Sequence, residues 1–347
     1  MPVDAEHPAV SVVVLGWNGR EYVDDCLSSL LDQDFDGAYE ILFVDNGSVD
    51  GTPERAAAYA GVTLERLDRN HGYCGGNNIG FERSRGDTVV FLNQDVIMHR
   101  SWLRELVCAL RSDANIKAAH ANIIQPWYPE FSAGERVAPV AAAYTADLGT
   151  MGYIHYRKLG EAPDVVDTLF LHGVSIAVTR DLIDELGYAF DPDMFAYAED
   201  MDLALRTRAA GYRTVTATRA VVYHKHTLSD RPSIGTLRKT VRIIRNRLLA
   251  LWKCSTWPEF VVLAAITVIG SPLNAAEFGM PPWRRALYTL LLVPPTLMAI
   301  VATAAAMPRF AARRTRVLAT ARAGRWWLLR AMVLDRRRLS PWPPVTR

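Results

Sequence analysis

Short unbroken apolar runs alternate with stretches of helical spacing along the first part of the chain. "AVSVVVLGWNG" reads as a buried strand and a turn, and "YEILFVDNGSVDGT" as a second strand that ends in polar and glycine residues. Between them Tyr22, Cys26, Leu27, Leu30 and Leu31 recur at the spacing of one helix face. "PERAAAYA" opens another helix, with Pro53 in its first turn, where a missing N–H is tolerated. "VTLERLDRN" predicts a third strand, "GGNNIGFERSRG" a helix and "DTVVFLNQDV" a further strand. "SWLRELVCALRSD" is a helix with Ser101 as its N-cap.

Continuous apolar strands alternating with amphipathic helices predict an α/β fold, a mostly parallel sheet covered by helices on both faces. Ligands of such sheets sit beyond the carboxyl ends of the strands. The polar clusters fall there: Trp17-Asn18, Asp45-Asn46 and Asn93-Gln94-Asp95. Periodicity fades from Gln125 to Val166, which reads as an excursion over the site and a candidate acceptor loop. It returns in "LFLHGVSIAVTRDLIDELG". Ala198, Met201, Leu205 and Ala209 then mark a helix face that stops at Gly211, and "YRTVTATRAVVYH" follows as a strand.

The chain has 347 residues, enough for a large domain and an appendage, drawn here as residues 1–230 and 231–347. The formal net charge of +2 gives no global field for a polyanion, so no nucleic-acid partner is expected. The charge is unevenly placed, with arginine dominant from Arg231 onward, which points to a basic face near an anionic surface. Four widely spaced cysteines, Cys26, Cys74, Cys108 and Cys254, form no C-x-x-C pair and fit a reducing compartment. "VSVVVLG" is too short for a signal peptide.

Six segments in order carry the candidate chemistry: "VSVVVLGWNG", "ILFVDNGSVDGT", "NHGYCGGNNIG", "VVFLNQDV", "AYAEDMDLALR" and "AVVYHKH". Together, over about Ala9 to Ser229, they resemble the inverting family-2 glycosyltransferases, in particular the rhamnosyltransferase-like branch that extends bacterial surface polysaccharides. The resemblance implies a GT-A fold, a metal-dependent transferase, a nucleotide-diphosphate sugar donor such as dTDP-rhamnose, and a lipid-linked or cell-surface glycan acceptor.

The resemblance also assigns roles. Asp95 would coordinate Mg²⁺ or Mn²⁺, hard ions that take oxygen ligands and substrate phosphates. Asn93 stands where the family usually has a first aspartate, so one ligand charge is missing; its amide would hydrogen-bond the ribose or a metal-bound water. His224 would be a further metal ligand, with His226 as its rival. Asp45 would orient the nucleotide, Trp17 and Asn18 would line its pocket, and Gly76 and Asn77 would approach the donor from a glycine-rich helix start. Asp45 is equally placed to be the first residue of an Asx turn. The base that deprotonates the acceptor falls in the Glu-Asp pair, assigned to Asp200 with Glu199 as the alternative. Asp202 serves as well to complement the helix dipole. Arg245-Asn246 is similar to a recurrent pair in these enzymes, without a role legible in the residues.

After Ser229 the pattern changes. "LRKTVRIIRNRLLALWK" reads as a basic amphipathic helix suited to a membrane surface. Phe260–Ala276 and Ala286–Pro308 are uncharged stretches of 17 and 23 residues, interrupted by Pro272, Pro294 and Pro295. Their basic flanks favour a hairpin with both ends at the cytoplasmic face, a shallow re-entrant arrangement being the other reading. Arg309–Arg330, with Trp326 and Trp327, would then lie along the headgroups. Two other functions fit fewer features. A catalytically silent nucleotide-sugar or glycan-binding module would explain Asn93. A nucleotidyltransferase lacks its Gly-rich, basic activating loop here and leaves the Glu-Asp helix and His224 unexplained.

Overall fold

The computed structural model describes residues 7–124, 144–148, 154–158, 163–225, 234–273 and 282–334. The elements begin β1 (Val10–Gly16), α1 (Val23–Leu31), β2 (Tyr39–Asp45), α2 (Thr52–Ala57), β3 (Val62–Arg66), α3 (Gly72–Arg83), β4 (Thr88–Asn93), β5 (Val96–Met98) and α4 (Trp102–Arg111). They continue with β6 (Ile116–Ile124), β7 (Tyr144–Leu148), β8 (Ile154–Lys158), β9 (Val165–Asp167), β10 (Ser175–Thr179), α5 (Arg180–Leu186), α6 (Glu199–Ala209) and β11 (Arg213–His224). Three long helices follow, α7 (Ile234–Cys254), α8 (Trp257–Leu273) and α9 (Pro282–Thr320).

A nine-stranded sheet runs β3-β2-β1-β4-β10-β6-β11-β5, with β9 on β11. Side chains alternate across it. Val13, Leu42, Val44 and Phe91 pack with Cys74 of α3, Leu203 of α6, Leu249 of α7 and Phe310 of α9. Val12, Val14, Ile41, Phe43 and Val90 pack on the other face against Leu27 of α1 and Trp102 and Leu106 of α4. The sheet is mixed rather than mostly parallel. β3, β2, β1 and β4 are parallel, but β10 is antiparallel to both β4 and β6, and β5 and β9 are antiparallel to β11. An apolar run buried on both faces looks the same in either direction, so the sequence could not show this. The reversal matters for the site: it sets Ser175, at the start of β10, opposite Leu92, near the end of β4. The segment His172–Val174 therefore lies at the carboxyl ends of the parallel strands.

Smaller expectations also shift. Ser101 is the N-cap of α4, but its hydroxyl meets His99 Nδ1 at 2.9 Å instead of capping the helix. Ala198 stands outside α6 in a left-handed conformation, φ +62°. The excursion over 125–166 contains an antiparallel β7–β8 pair and the start of β9; residues 125–143, 149–153 and 159–162 lie outside the described ones.

The C-terminal helices depart most from expectation. The apolar face of α7 (Ile244 and Leu248, with Val241) meets Ala264 and Val268 of α8 and Ala299 of α9. Its basic face turns to the catalytic region: Lys239 lies over the Tyr197 ring, Arg242 over Phe195, and Arg245 donates to the Asp193 carbonyl at 3.2 Å. The helix expected on a membrane surface is thus sandwiched inside the protein. α9 is assigned helical through Pro294, Pro295 and Pro308. Beyond these, Phe310 is fully buried, Arg313 pairs with Asp191 and Asp193, Arg322 with Glu185, and Trp327 Nε1 donates to the Cys254 carbonyl. Arg309–Arg330 therefore packs on the domain rather than lying apart from it. The hydrophobic core runs on past residue 230. Among the described residues one helical stretch, Leu290–Thr320, is long and apolar enough to cross a membrane.

Candidate functional site

The carboxyl ends of β1, β2 and β4 are level. Gly16 pairs with Asp45, and Leu15 with Asn93. Gln94 stitches two of these loops by donating to the Trp17 carbonyl at 3.0 Å. Asn18 joins the loops after β1 and β2: its Oδ1 accepts from Val49 N–H and its own N–H donates to Ser48 Oγ, both at 2.9 Å. Asn18 also edges an open hollow of about 490 Å³ whose other walls are Arg20, Glu21, Asp24, Asp50 and Arg55. An Arg55–Asp24 ion pair lines that hollow. Trp17 is 51% exposed beside this loop. Asp45 is fully buried and accepts from Ser48 N–H at 3.3 Å, so it does form the turn.

Two of the glycine-loop assignments change. A Cβ on Gly76 would lie 2.4 Å from Leu15 Cδ1, so a side chain is absent there because α3 packs closely on β1, not because a donor must approach. Asn77 is buried and donates to the Tyr73 carbonyl at 3.0 Å, within its own helix.

Asp95, in the turn from β4 to β5, and His224, at the end of β11, come together across the sheet. His224 Nε2 stands 3.2 Å from Asp95 Oδ2. The antiparallel pairing of His224 with Val96 produces this contact. Lys225 points the other way, to Asp25 of α1, as strand alternation requires. One carboxylate and one imidazole suit a divalent cation, and the Asp95 side chain keeps 29% exposure through which a ligand could enter. Among the described residues no group of three or more His, Cys, Asp or Glu side chains that could hold an ion exists, so an ion held here would complete its shell with other oxygens, such as water or substrate phosphate. His226 lies outside the described residues.

The second half of the site is the start of α6. Asp200 is half-buried; Oδ2 accepts from Gly173 N–H at 3.1 Å and Oδ1 from Met201 N–H at 2.7 Å. Burial pushes Asp200 up to about 6, while the Met201 and Gly173 N–H groups and the Arg247 charge restrain the rise. Glu199, 6% exposed, rises well above the carboxylate range through burial first and the Asp200 charge second. Tyr73 donates to the Gly173 carbonyl at 2.6 Å, beside both carboxylates. The two halves are joined by backbone: Val174 O accepts from Asn93 N–H at 3.0 Å, and the preceding residue, Gly173, holds Asp200.

Asp202 has a different office. Lys253 Nζ lies 2.7 Å from both Asp191 and Asp202, and Arg206 Nε 2.9 Å from Asp202, all fully buried. Burial acts upward on Asp202, but Lys253 and Arg206 outweigh it and lower its pKa. Asp202 is a buried ion-pair partner, more than a surface complement to the helix dipole. Tyr73, Gly173 and Lys253 escaped sequence reasoning, and Asn246 shows there only as half of the Arg245-Asn246 pair, without a role. Lys253 left a trace, as one charge in the apolar run "LLALWKC".

The chain matches the family model described as glycosyl transferase family 2 over residues 11–187. It is 25% identical over 246 residues to glycosyltransferase AglE of Haloferax volcanii, covering 70% of this chain and 73% of AglE. It is 28% identical over 200 residues to the O-antigen chain rhamnosyltransferase WbaN of Salmonella anatum, covering 55% and 58%. A Sinorhizobium fredii protein, y4gI, is 28% identical over 252 residues, but the match spans 27% of that longer chain. Among solved structures, the mannosyltransferase PcManGT of Pyrobaculum calidifontis, in complex with GDP-Man and Mn²⁺, superposes with a TM-score of 0.51 at 19% identity, covering 90% of this chain and 86% of its own; this likeness is one of fold.

Proposed function

The chain belongs to glycosyl transferase family 2, and on that basis we propose that it transfers a sugar, with inversion, from a nucleotide-diphosphate donor to a lipid-linked or cell-surface glycan. The acceptor hydroxyl attacks the anomeric carbon, its proton passes to Asp200, and the bond to the diphosphate breaks. The titrations divide the acidic pair. Burial raises both carboxyls, Glu199 well above the carboxylate range and Asp200 only to about 6, which supports Asp200 as the base. Asp95 and His224 would hold Mg²⁺ or Mn²⁺, which stabilises negative charge on the departing diphosphate. The Mn²⁺ and GDP-Man bound to PcManGT support a cation and a nucleotide sugar. The likeness to the rhamnosyltransferase WbaN supports rhamnose as the sugar, with dTDP-rhamnose as the proposed donor. Trp17 would line the nucleotide side of the crevice, Asp45 would hold the turn beneath it, and Asn93 would lie near the bound ion.

The observation that carries this reading is the His172–Val174 backbone, bonded to Asn93 on one side and to Asp200 on the other. It sets a base beside the strand ends where a donor phosphate would lie. The outer faces of α8 and α9 expose Trp257, Val261, Ile269, Leu290, Leu297 and Val301, which suits a hairpin inserted from the cytoplasmic face of the membrane.

Incubation of the purified full chain with a panel of nucleotide sugars, polyprenyl-diphosphate glycan acceptors and Mg²⁺ or Mn²⁺ tests the proposal. Cation-dependent transfer with inverted anomeric configuration is expected. Donor binding with neither transfer nor hydrolysis across the panel would favour the silent module that Asn93 suggested.

A further inference from the structure

Three residues just before the acidic pair adopt backbone angles that side-chain-bearing residues avoid. Phe195, Tyr197 and Ala198 have φ of +65°, +73° and +62°. Ala198 is the residue from which α6 starts, so this turn sets the direction in which Glu199 and Asp200 leave. Such a conformation persists only where its surroundings impose it. On one side Cys74 N–H donates to the Phe195 carbonyl at 3.0 Å, and a Cβ on Gly72 would come within 2.4 Å of that oxygen.

On the other side stands Asn246 of α7, fully buried. Its Nδ2 lies 3.1 Å from the Met194 carbonyl, 3.0 Å from that of Ala196 and 2.8 Å from that of Tyr197. One amide thus gathers three carbonyls of the same turn. Its Oδ1, also buried, has no donor among the described residues. An apolar side chain would join α7 to the domain without that orphaned oxygen, and Leu249 and Leu251 already do so. The amide is therefore there for its N–H groups. A carboxylate could not replace it, because all three partners are acceptors.

We propose that Asn246 is a positioning residue: through the Met194–Ala198 turn it fixes the orientation of Asp200 toward the acceptor. The proposal rests on the reading of Asp200 as base. It makes α7, from outside the family-matched residues, part of the machinery of transfer.

The test uses Asn246→Leu in the full chain. Calorimetric titration with UDP or dTDP and Mn²⁺ gives the nucleotide affinity and the fraction of competent molecules. Turnover, with the nucleotide sugar selected by the panel above, is expressed per competent site, so misfolded protein drops out. Nucleotide affinity should stay within about twofold and the donor KM should hold, while kcat falls about 10²-fold, the order of loss that an ångström of misplacement causes. The acid limb of the kcat–pH profile should also move, because the surroundings of Asp200 change. Hydrogen exchange should quicken at residues 195–200 and not in β1 or β4. Asn246→Gln, with the amide on a longer stem, carries the same expectations at smaller size and is read if Leu leaves no competent protein. A kcat per competent site within about twofold of wild type, or a loss matched by equal loss of nucleotide affinity, would overturn the proposal. Asp200→Asn, run alongside, separates the failures. Full turnover there removes the base assignment; its loss there with full turnover in Asn246→Leu removes the positioning role alone.

Discussion

The backbone N–H of Gly173 donates to Asp200 Oδ2 at 3.1 Å, and this bond restrains the upward push that burial exerts on the Asp200 carboxyl. Without it, burial would drive Asp200 higher still. Asp200, the proposed base, is thus held by the segment that leads into the antiparallel strand β10.

A pH dependence follows. A base with a pKa of about 6 is protonated below that value, so kcat should fall about tenfold per pH unit under pH 6 and be level above it. A pH–rate profile under saturating donor measures this. An acid limb centred at the ordinary aspartate value of 3.8 would contradict the account.

The same shift has a stability consequence. The folded-state pKa, about 6, lies above the ordinary 3.8, so the folded chain binds this proton more tightly than the unfolded chain. Stability therefore falls as pH rises from about 4 to 6, by about 3 kcal/mol at most, and the loss is complete at neutral pH. Asp200→Asn should melt above wild type at pH 7.5, with the gap closing near pH 4. An equal or lower Tm at pH 7.5 would show that the carboxylate is not under this strain.

Lys253 binds the C-terminal helices to the catalytic region through Asp191 and Asp202. Removing one partner leaves buried charge uncompensated. Lys253→Met should lower the stability to urea by about 3–5 kcal/mol. For the same reason, a chain ended near Ser229 should be unstable rather than a soluble catalytic unit, contrary to what a boundary at residue 230 suggests. A cooperative melt of the shortened chain near the full-length Tm would refute this.

The sequence made the strand–helix alternation, the strand-end polar clusters and the Glu-Asp helix legible, because each is written in local periodicity or composition. What it hid was long-range. The direction of β10 is silent in an apolar run. Gly76 looks like a ligand-contact glycine until Leu15 is seen against it. Asn246 stands out in the sequence only as part of the Arg245-Asn246 pair, and its role is hidden because its three partners lie about fifty positions away. The basic face of α7 and the Arg309–Arg330 segment were read as membrane-facing because charge pattern alone cannot tell lipid phosphate from the carboxylates and ring faces they meet.

The exposed faces of α8 and α9 carry the membrane prediction. Replacing Leu290, Leu297 and Val301 by serine removes apolar area worth about 1.5–3 kcal/mol per side chain if it is buried in lipid. The full-length wild type should stay with membranes through high-salt and carbonate washes, and the triple variant should be released while keeping its fold. Wild type washed off by salt alone would show that only screened surface charge had held it.

The metal assignment is separable from the base. Asp95→Ala should abolish the Mn²⁺-dependent part of UDP or dTDP binding, and His224→Ala should weaken it, with Asp200 chemistry untouched. Unchanged cation dependence in Asp95→Ala would remove that residue from the site.

The most direct test of transfer by an Asp200 base is a paired measurement on Asp200→Asn. Nucleoside diphosphate affinity in the presence of Mn²⁺ is read on the same preparation as sugar transfer. The account predicts near-normal affinity and turnover lower by about 10²–10⁴-fold, the range general-base catalysis supplies. Turnover within a few-fold of wild type would contradict it and move the base to Glu199.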